Sequence, residues 1–594
     1  MLFLKHGVHV VANGSETDRQ TDDLGAVSAR SVSLATAAAV ENDETTPFDY
    51  IFDQIVDDPA AHLPASDTNA TVSALKLLGS AMVDQAPPTD ANSTIPPVYT
   101  YWGQFIDHDM TANTDRDSSV SDIRPDDLKP LAPAHVTANL RNLRRPALDL
   151  DSVYGEGPEI LFGPTDDGML YDGIKFRLGR CTDAAGIPGD RIPPVADLDR
   201  DLPRIGPLLD AGVVTEDDFT PEHRAQANFR TLAVVGDTRN DENLVISQFH
   251  VAFLRFHNRV VDEIIAEGNL AARFGFGRQR SIRIFNRARR LTRWHYQWLV
   301  VHDYLKTVTR AGVADKILLA GPQHYDLRDG EAYMPLEFSV AAYRYGHSMV
   351  RGGYDHNRNF GRGAVVAPFA SFEQLFEFTG NGHALDTTTT PPSIVFGPFR
   401  GAPTLPFNWI IEWDRLTDKG SVFPTRFARK IDTHLVPALL DLVNEANEAS
   451  IPAPLRSMLK QLAQRNLLRG YLLHMPTGQA AAEAMDVEPL TPDEIRQGAS
   501  PEMLAALDAG GFVERTPLWF YLLKEAEVRC NGNTLGQLGS RLVCETIIGL
   551  LYVDESSFIH QGNWDPAHSP LRGDEGDPIV TIRDFLRFAG VAPS

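Results

Sequence analysis

Cysteine is nearly missing: the 594 residues hold three, Cys181, Cys530 and Cys544. Three scattered thiols make neither a disulfide framework nor a thiolate metal site. Cys530 and Cys544 could pair, but free buried thiols are the default reading. No run of 18 apolar residues exists, so a transmembrane helix is not supported. The most apolar late stretch, Leu542 to Val553, is broken by Glu545. A basic excess is also missing, because 55 Lys and Arg stand against 79 Asp and Glu, a net charge of −24. That balance argues against nucleic acid and anionic lipid surfaces as partners. The opening Met-Leu-Phe-Leu-Lys-His-Gly has no basic region followed by an apolar core and a small-residue cleavage site. The expected location is therefore the cytoplasm, or outside the cell by a non-classical route. Convincing period-2 strands are few, and no repeat of 20–50 residues is visible.

The hydrophobic fraction of 43% and charged fraction of 23% are ordinary for a globular protein with a large core. Residues 1–46, rich in Ala, Ser, Thr and Asp, read as a flexible N-terminal tail. Residues 47–594 read as one continuous domain. Within it, the proline-rich stretch 187–208 and the Pro/Gly/Thr-rich stretch 380–408 read as long ordered loops. Apolar spacing predicts helices over 243–266, 280–306, 335–350, 430–446, 455–474 and 541–552. The expected class is mainly α, with short hairpins at most.

Four segments carry candidate chemistry. The first is Tyr101-Trp-Gly-Gln-Phe-Ile-Asp-His-Asp-Met110. On a helix, Gln104 and His108 share a face, Asp107 flanks it, and Asp109 turns about 100° away. Alone, this reads first as a capped surface helix with a solvated Asp-His-Asp. The second is Arg145-Pro-Ala-Leu-Asp-Leu-Asp-Ser-Val-Tyr-Gly155. Alternating Asp149 and Asp151, with carbonyls between them, suit a hard cation such as calcium, which wants six to eight oxygens. Asp109 adds a third carboxylate; a solvated acidic turn is the plainer alternative. The third, Gly236-Asp-Thr-Arg-Asn-Asp-Glu-Asn243, leads into a helix and is rich in capping residues, with Arg239 and Glu242 three apart. Downstream, His250 and His257 lie about 10 Å apart along the axis, too far to share a metal ion, and read as packing. The fourth is Tyr343-Arg-Tyr-Gly-His-Ser-Met349, in which Gly346 permits close approach of a flat object or another backbone, and His347 alone reads first as a core residue of an apolar helix. Further on, Asn466 and Arg469 stand three apart on a helix.

Together the segments resemble the animal-type haem peroxidases of the peroxidase–cyclooxygenase superfamily, including their bacterial members. The motifs are WGQ-x-x-DHD at 102–109, LD-x-x-x-VYG-like at 148–155, GD-x-R-x-x-E at 236–242, L-R-x-HNR at 254–259 and RYGH at 344–347, in the family's order and over about residues 48–580. The resemblance implies haem b and calcium as cofactors. It implies His108 as distal base, Gln104 as a distal-pocket residue and Arg239 as catalytic arginine. His347 becomes the proximal iron ligand, with Asn466 bonding it and Arg344 and Arg469 near the haem. Asp107 and Glu242 match the carboxylates that form ester links to haem. Asp109, Asp149 and Asp151 match calcium ligands, with Arg145 and Ala147 contributing through the backbone at most.

The function implied is reduction of hydrogen peroxide coupled, through a ferryl intermediate, to oxidation of iodide, bromide, thiocyanate or phenols. A role in oxidative stress or oxidant-generating defence would follow. A fatty-acid dioxygenase on the same fold and a catalytically silent haem-containing interaction protein are the alternatives. Three departures qualify the resemblance. Asn243 stands where the myeloperoxidase branch has the Met that forms a sulfonium bond to haem, which argues against chloride oxidation. Arg145 replaces a calcium-loop Thr. Arg344 occupies the position of the oxygenase tyrosine, three before the proximal His, and Tyr345, two before it, is expected on the wrong side of a helix.

Overall fold

The computed structural model describes residues 10–11, 45–84, 91–115, 128–155 and 157–593, apart from 159–168, 184–187, 193–196, 220, 381, 387, 390–392, 424–425, 443–452 and 563. Helices dominate. The principal ones are α1 (Thr68–Ala81), α2 (Val98–Met110), α3 (Leu244–Ala266), α4 (Gly277–Leu299), α5 (Leu336–Val340), α6 (Leu462–Leu472), α7 (Leu518–Cys530) and α8 (Gln537–Val553). The largest sheet has five very short strands in the order Val10–Val11, Asn113–Asp115, Leu140–Asn142, Thr46–Asp49, Met334–Pro335. Among the described residues the other sheets are two-stranded.

α2 is central because almost every side chain on it is apolar or has a buried partner. Trp102, Phe105, Ile106 and Met110 are fully buried, each worth roughly 1.5–3 kcal/mol of transfer free energy. Phe105 stacks on Phe253 of α3, with centroids 4.6 Å apart and planes 8° from parallel. α3 and α4 pack along one another. α3 begins at Asn243, whose side chain accepts the Ile246 N–H at 3.1 Å; an unsatisfied first-turn donor is thereby met.

Several expected elements differ. The helix predicted over 335–350 is α5 followed by a 3-10 turn, Ala342–His347, the two separated by Ala341 at φ −128°, ψ −65°. The stretch 430–446 is not an α-helix: its described part is extended, with a single 3-10 turn at Pro437–Leu439. Pro437 fits a first helical turn but removes a backbone donor in any helix entering from its N-terminal side. The span 280–306 starts earlier, at Gly277, and ends in a π-helical turn, Val300–Leu305. The span 455–474 is split into Ala453–Lys460 and α6. Of the expected tail, residues 1–9 and 12–44 lie outside the described residues. Val10–Val11 pairs in parallel with Asn113–Asp115, and Thr46 opens a strand, so those positions belong to the fold. Cys181 and Cys544 are buried and Cys530 half-buried, all three as free thiols.

Candidate active site

A cleft with a cavity volume of about 70 Å³ opens between α2 and the 3-10 turn Ala342–His347. Gln104, Asp107 and Asn243 stand on its α2 side, Arg344, Gly346 and His347 opposite.

The 3-10 geometry of the second wall decides which side chains meet. With three residues per turn, positions i and i+3 eclipse, so Arg344 and His347 share a face. Both reach Asn466 on α6: its amide nitrogen lies 3.0 Å from His347 Nδ1, and its carbonyl oxygen accepts Arg344 Nη1 at 3.3 Å. Arg344 Nε also donates to the Ser339 carbonyl at 2.9 Å, and Trp519 on α7 donates to the Arg344 carbonyl at 3.2 Å. Burial lowers the Arg344 guanidinium's affinity for its proton, and Asp107 across the cleft raises it. Tyr345, expected on the wrong side, also lines the cleft, because the turn is 3-10 rather than α. Arg469 is half-buried on α6 and is not part of the cleft wall.

On the opposite side His108 is fully buried and, unlike Gln104, does not line the cleft. Its Nδ1 meets Asn240 Oδ1 at 3.0 Å. An amide oxygen only accepts, so Nδ1 carries the proton and Nε2 keeps its lone pair. Nε2 lies 3.9 Å from Glu242 Oε2. That same carboxylate oxygen accepts Gln104 Nε2 at 3.2 Å, and Asn243 Nδ2 donates to Gln104 Oε1 at 3.2 Å. Asp107 Oδ1 accepts the Thr111 hydroxyl at 2.9 Å.

Arg239 is fully buried and does not pair with Glu242. Its Nε and Nη2 hold Asp237, at 3.1 and 2.6 Å, and Nη2 donates to the His108 carbonyl at 2.9 Å. Its Nη1 has no partner among the described residues. Burial would raise the Asp237 carboxyl, but Arg239 and Arg144 outweigh it and hold Asp237 well below the usual carboxylate range. His257 is bonded by Tyr154 Oη at 2.9 Å and reaches the Ile174 carbonyl at 3.1 Å, the packing role expected of it. His250 is buried and pushed down to about 3 by desolvation.

The third cluster sits behind α2. One carboxylate oxygen each from Asp109, Asp149 and Asp151 lies within 4.8 Å of the others. Leu148 and Leu150 adopt left-handed φ of 51° and 62°, which fold the loop around Asp109. The Leu150 N–H and Ser152 hydroxyl donate to Asp109 at 3.2 and 3.3 Å. Burial and the neighbouring Asp151 and Asp149 raise the Asp109 carboxyl; burial pushes Asp151 up to about 7 despite Arg144. Three hard oxygen donors that resist joint ionisation suit a divalent cation. The Arg145 and Ala147 carbonyls already accept bonds, from Ala147 N at 2.8 Å and Gln297 Nε2 at 3.4 Å. The Arg145 side chain instead pairs with Asp149 at 3.1 Å.

Three residues here had no functional signal in the sequence reading. Arg144 bridges Asp151, at 3.6 Å, and Asp237, and so ties the carboxylate loop to the Arg239 loop. Asn240, read only as a helix cap, fixes His108. Tyr304, on the π turn, faces the cleft. The adjacent arginines at 144 and 145 were the one visible hint of the first.

The cleft suits a flat, largely apolar macrocycle. A Cβ added at Gly346 would meet nothing within 4 Å, so that wall is open beside the imidazole. The buried Thr100 hydroxyl on the wall has no partner among the described residues. An imidazole, a guanidinium and aromatic walls match haem iron, haem carboxylates and the ring in turn.

Residues 208–375, which include Arg239, Glu242, Arg344 and His347, match the sequence model of the family described as animal haem peroxidase. No curated protein matches the chain. Among solved structures, peroxidase A from Dictyostelium discoideum is similar with 16% identity, 93% of this chain and 94% of that chain covered, and a TM-score of 0.54. A fatty acid alpha-dioxygenase from Oryza sativa aligns with 12% identity, 86% and 74% covered, and a TM-score of 0.46. No described helix is long and apolar enough to cross a membrane. The match over residues 208–375 shows that this segment is similar to the animal haem peroxidase family, and the likeness to peroxidase A shows a shared fold.

Proposed function

We propose that the protein is a haem peroxidase that reduces hydrogen peroxide and oxidises small donors such as iodide, thiocyanate, bromide and phenols. The observation that carries this reading is the pair of differently placed imidazoles: His347 on the cleft wall against the Asn466 amide, and buried His108 on the α2 side with Nδ1 on Asn240 and Nε2 3.9 Å from Glu242. His347 would hold the iron, and Arg344 would meet a haem carboxylate. Asn466, which touches both His347 Nδ1 and the Arg344 guanidinium, would hold the imidazole in its orientation beside the metal. When bound, haem supplies the redox iron that takes the peroxide oxygen and passes oxidising equivalents to the donor.

The chain's own part is proton management. His108 Nε2 takes a proton from the near oxygen of the peroxide and returns it to the departing oxygen, with Nδ1 anchored throughout on Asn240. Arg239 sets positive charge behind the distal helix, largely balanced by Asp237, and orients it through the His108 carbonyl. Peroxide reaches Nε2 past Gln104. Asp107 and Glu242 stand where ester links to haem would form, and Asp109, Asp149 and Asp151 would bind calcium that fixes α2. A role in oxidant defence follows from the reaction class.

Purified protein supplied with haem should give a Soret band that shifts with peroxide, and iodide should be oxidised. Oxygen uptake with a fatty acid, without peroxide-dependent iodide oxidation, would overturn the peroxidase reading in favour of a dioxygenase.

A further inference from the structure

A row of three phenols, Tyr345, Tyr304 and Tyr99, runs along the cleft wall and ends on buried Asp303, beyond which Lys419 reaches solvent. Tyr345 Oη, on the cleft wall, lies 2.6 Å from Tyr304 Oη. The Tyr304 ring lies 6.5 Å from that of Tyr99, at 21°. Trp102 fills the angle between them, 5.4 Å from Tyr304 and 5.8 Å from Tyr99. Tyr99 Oη donates to Asp303 Oδ1 at 2.6 Å. Asp303 also accepts Lys419 Nζ at 3.0 Å, and the Lys419 side chain is 52% exposed. Gly103 permits this packing, because a Cβ there would lie 2.4 Å from Tyr304 Oη.

We infer that Tyr345, Tyr304 and Tyr99 form an electron relay whose outer end, at Asp303 and Lys419, oxidises phenols too large to enter the cleft. The inference rests on the peroxidase reading for its oxidant, the peroxide-oxidised haem. One electron passes inward through the rings of Tyr304 and Tyr345, which are left unchanged. The Tyr99 O–H bond breaks, its proton forms a new O–H bond on Asp303, and a neutral phenoxyl remains. A phenol at the surface returns one electron, Asp303 returns its proton to Tyr99, and the donor's proton goes to water. The short Tyr99–Asp303 bond gives the oxidation its proton acceptor. Without one, a phenol would have to form a radical cation in a buried site, at high desolvation cost.

The test compares wild type, Asp303→Asn and Tyr99→Phe, each haem-loaded and treated with hydrogen peroxide. The probes are iodide and a phenol coupled to a high-molecular-weight dextran. Asp303→Asn should oxidise iodide within twofold of wild type but the dextran-phenol at least tenfold more slowly. Rapid-freeze electron paramagnetic resonance should show a phenoxyl signal in wild type that Tyr99→Phe loses or alters. Unchanged dextran-phenol oxidation in Asp303→Asn, or an unchanged radical signal in Tyr99→Phe, would overturn the relay. Should wild type oxidise neither donor, the peroxidase reading itself has failed. A ruthenium polypyridyl photo-oxidant attached through Lys419→Cys then decides the wiring alone. A phenoxyl radical that disappears with Tyr99→Phe supports the relay, and its absence overturns it.

Discussion

Asn240 accepts the Nδ1 proton of His108 at 3.0 Å, and so determines which nitrogen of that imidazole can act as a base. Asn240→Leu should leave the helix intact yet slow the reaction with peroxide by on the order of tenfold to a hundredfold, part of the worth of a positioned acid–base group. Asn240→Asp keeps an acceptor and should recover most of the rate, with an altered pH profile. Stopped-flow absorbance at the Soret band reads both. Equal rates in all three proteins would remove Asn240 from the chemistry.

The two imidazoles should fail differently. His347→Ala should lose haem or give a heterogeneous spectrum, because the protein's bond to iron is gone. His108→Ala should keep haem and lose roughly two or more orders of magnitude in peroxide reactivity. Full haem occupancy with an unaltered spectrum in His347→Ala would refute the proximal assignment.

Calcium removal is expected to destabilise the protein through α2. Metal analysis of chelator-free protein should find one calcium, and Asp149→Ala should lower both the melting temperature and haem retention. A chelator should reproduce the effect in wild type and do little to the variant. A metal-free wild-type protein of full stability would mean that Arg144 and Arg145 compensate the three carboxylates unaided.

Glu337 gives a pH dependence of known sign. It is fully buried, with Oε2 accepting the Ile51 N–H at 2.9 Å and Oε1 unpartnered among the described residues. Burial pushes its carboxyl from 4.5 up to about 7. The folded state therefore binds the proton more tightly than the unfolded state. The stabilisation is fully present below about pH 4.5 and is lost as pH rises through 7, on the order of 3 kcal/mol in all. Glu337→Gln stays neutral, so its melting temperature should fall less than that of wild type between pH 5 and pH 8. Parallel curves for the two proteins would contradict this.

Haem attachment and oxidising power are expected to be intermediate. After peroxide treatment, acid–organic extraction should leave haem on the wild-type chain, and Asp107→Val with Glu242→Gln should release it. Chloride should be a poor substrate, since Asn243 caps α3 and bonds Gln104 and has no sulfur to form a third link. Free extraction from turned-over wild type would dispose of the ester links.

Residue order alone located the helices that carry the site, because apolar spacing on α2 and α3 is dictated by burial on one continuous core. The directions of Gln104, His108 and Asp109 on α2 are legible in the sequence, since an ordinary α-helix fixes them. Sequence reading failed where the backbone leaves that regime. Tyr345 was assigned to the wrong side because 335–350 was read at 3.6 residues per turn, whereas the structure breaks at Ala341 and tightens to three. Arg239 and Glu242 stand three apart in sequence, but Asp237 holds Arg239 through a loop whose shape no periodicity reports. Arg144 and Asn240 escaped notice because their partners lie 93 and 132 residues away in sequence, and only tertiary folding brings such pairs together.

The π-helical turn at Val300–Leu305 bears on how such a site can arise. A π turn amounts to one extra residue inserted in an α-helix, and such bulges recur at functional positions. Here the widened turn carries Asp303 and Tyr304. A single inserted codon would thus have supplied both the buried carboxylate that meets Lys419 and the phenol on the cleft wall, while α4 upstream kept its packing against α3. Deleting one residue from that turn should reverse the event: a shortened but intact helix, with both side chains swung about 100° from their present partners.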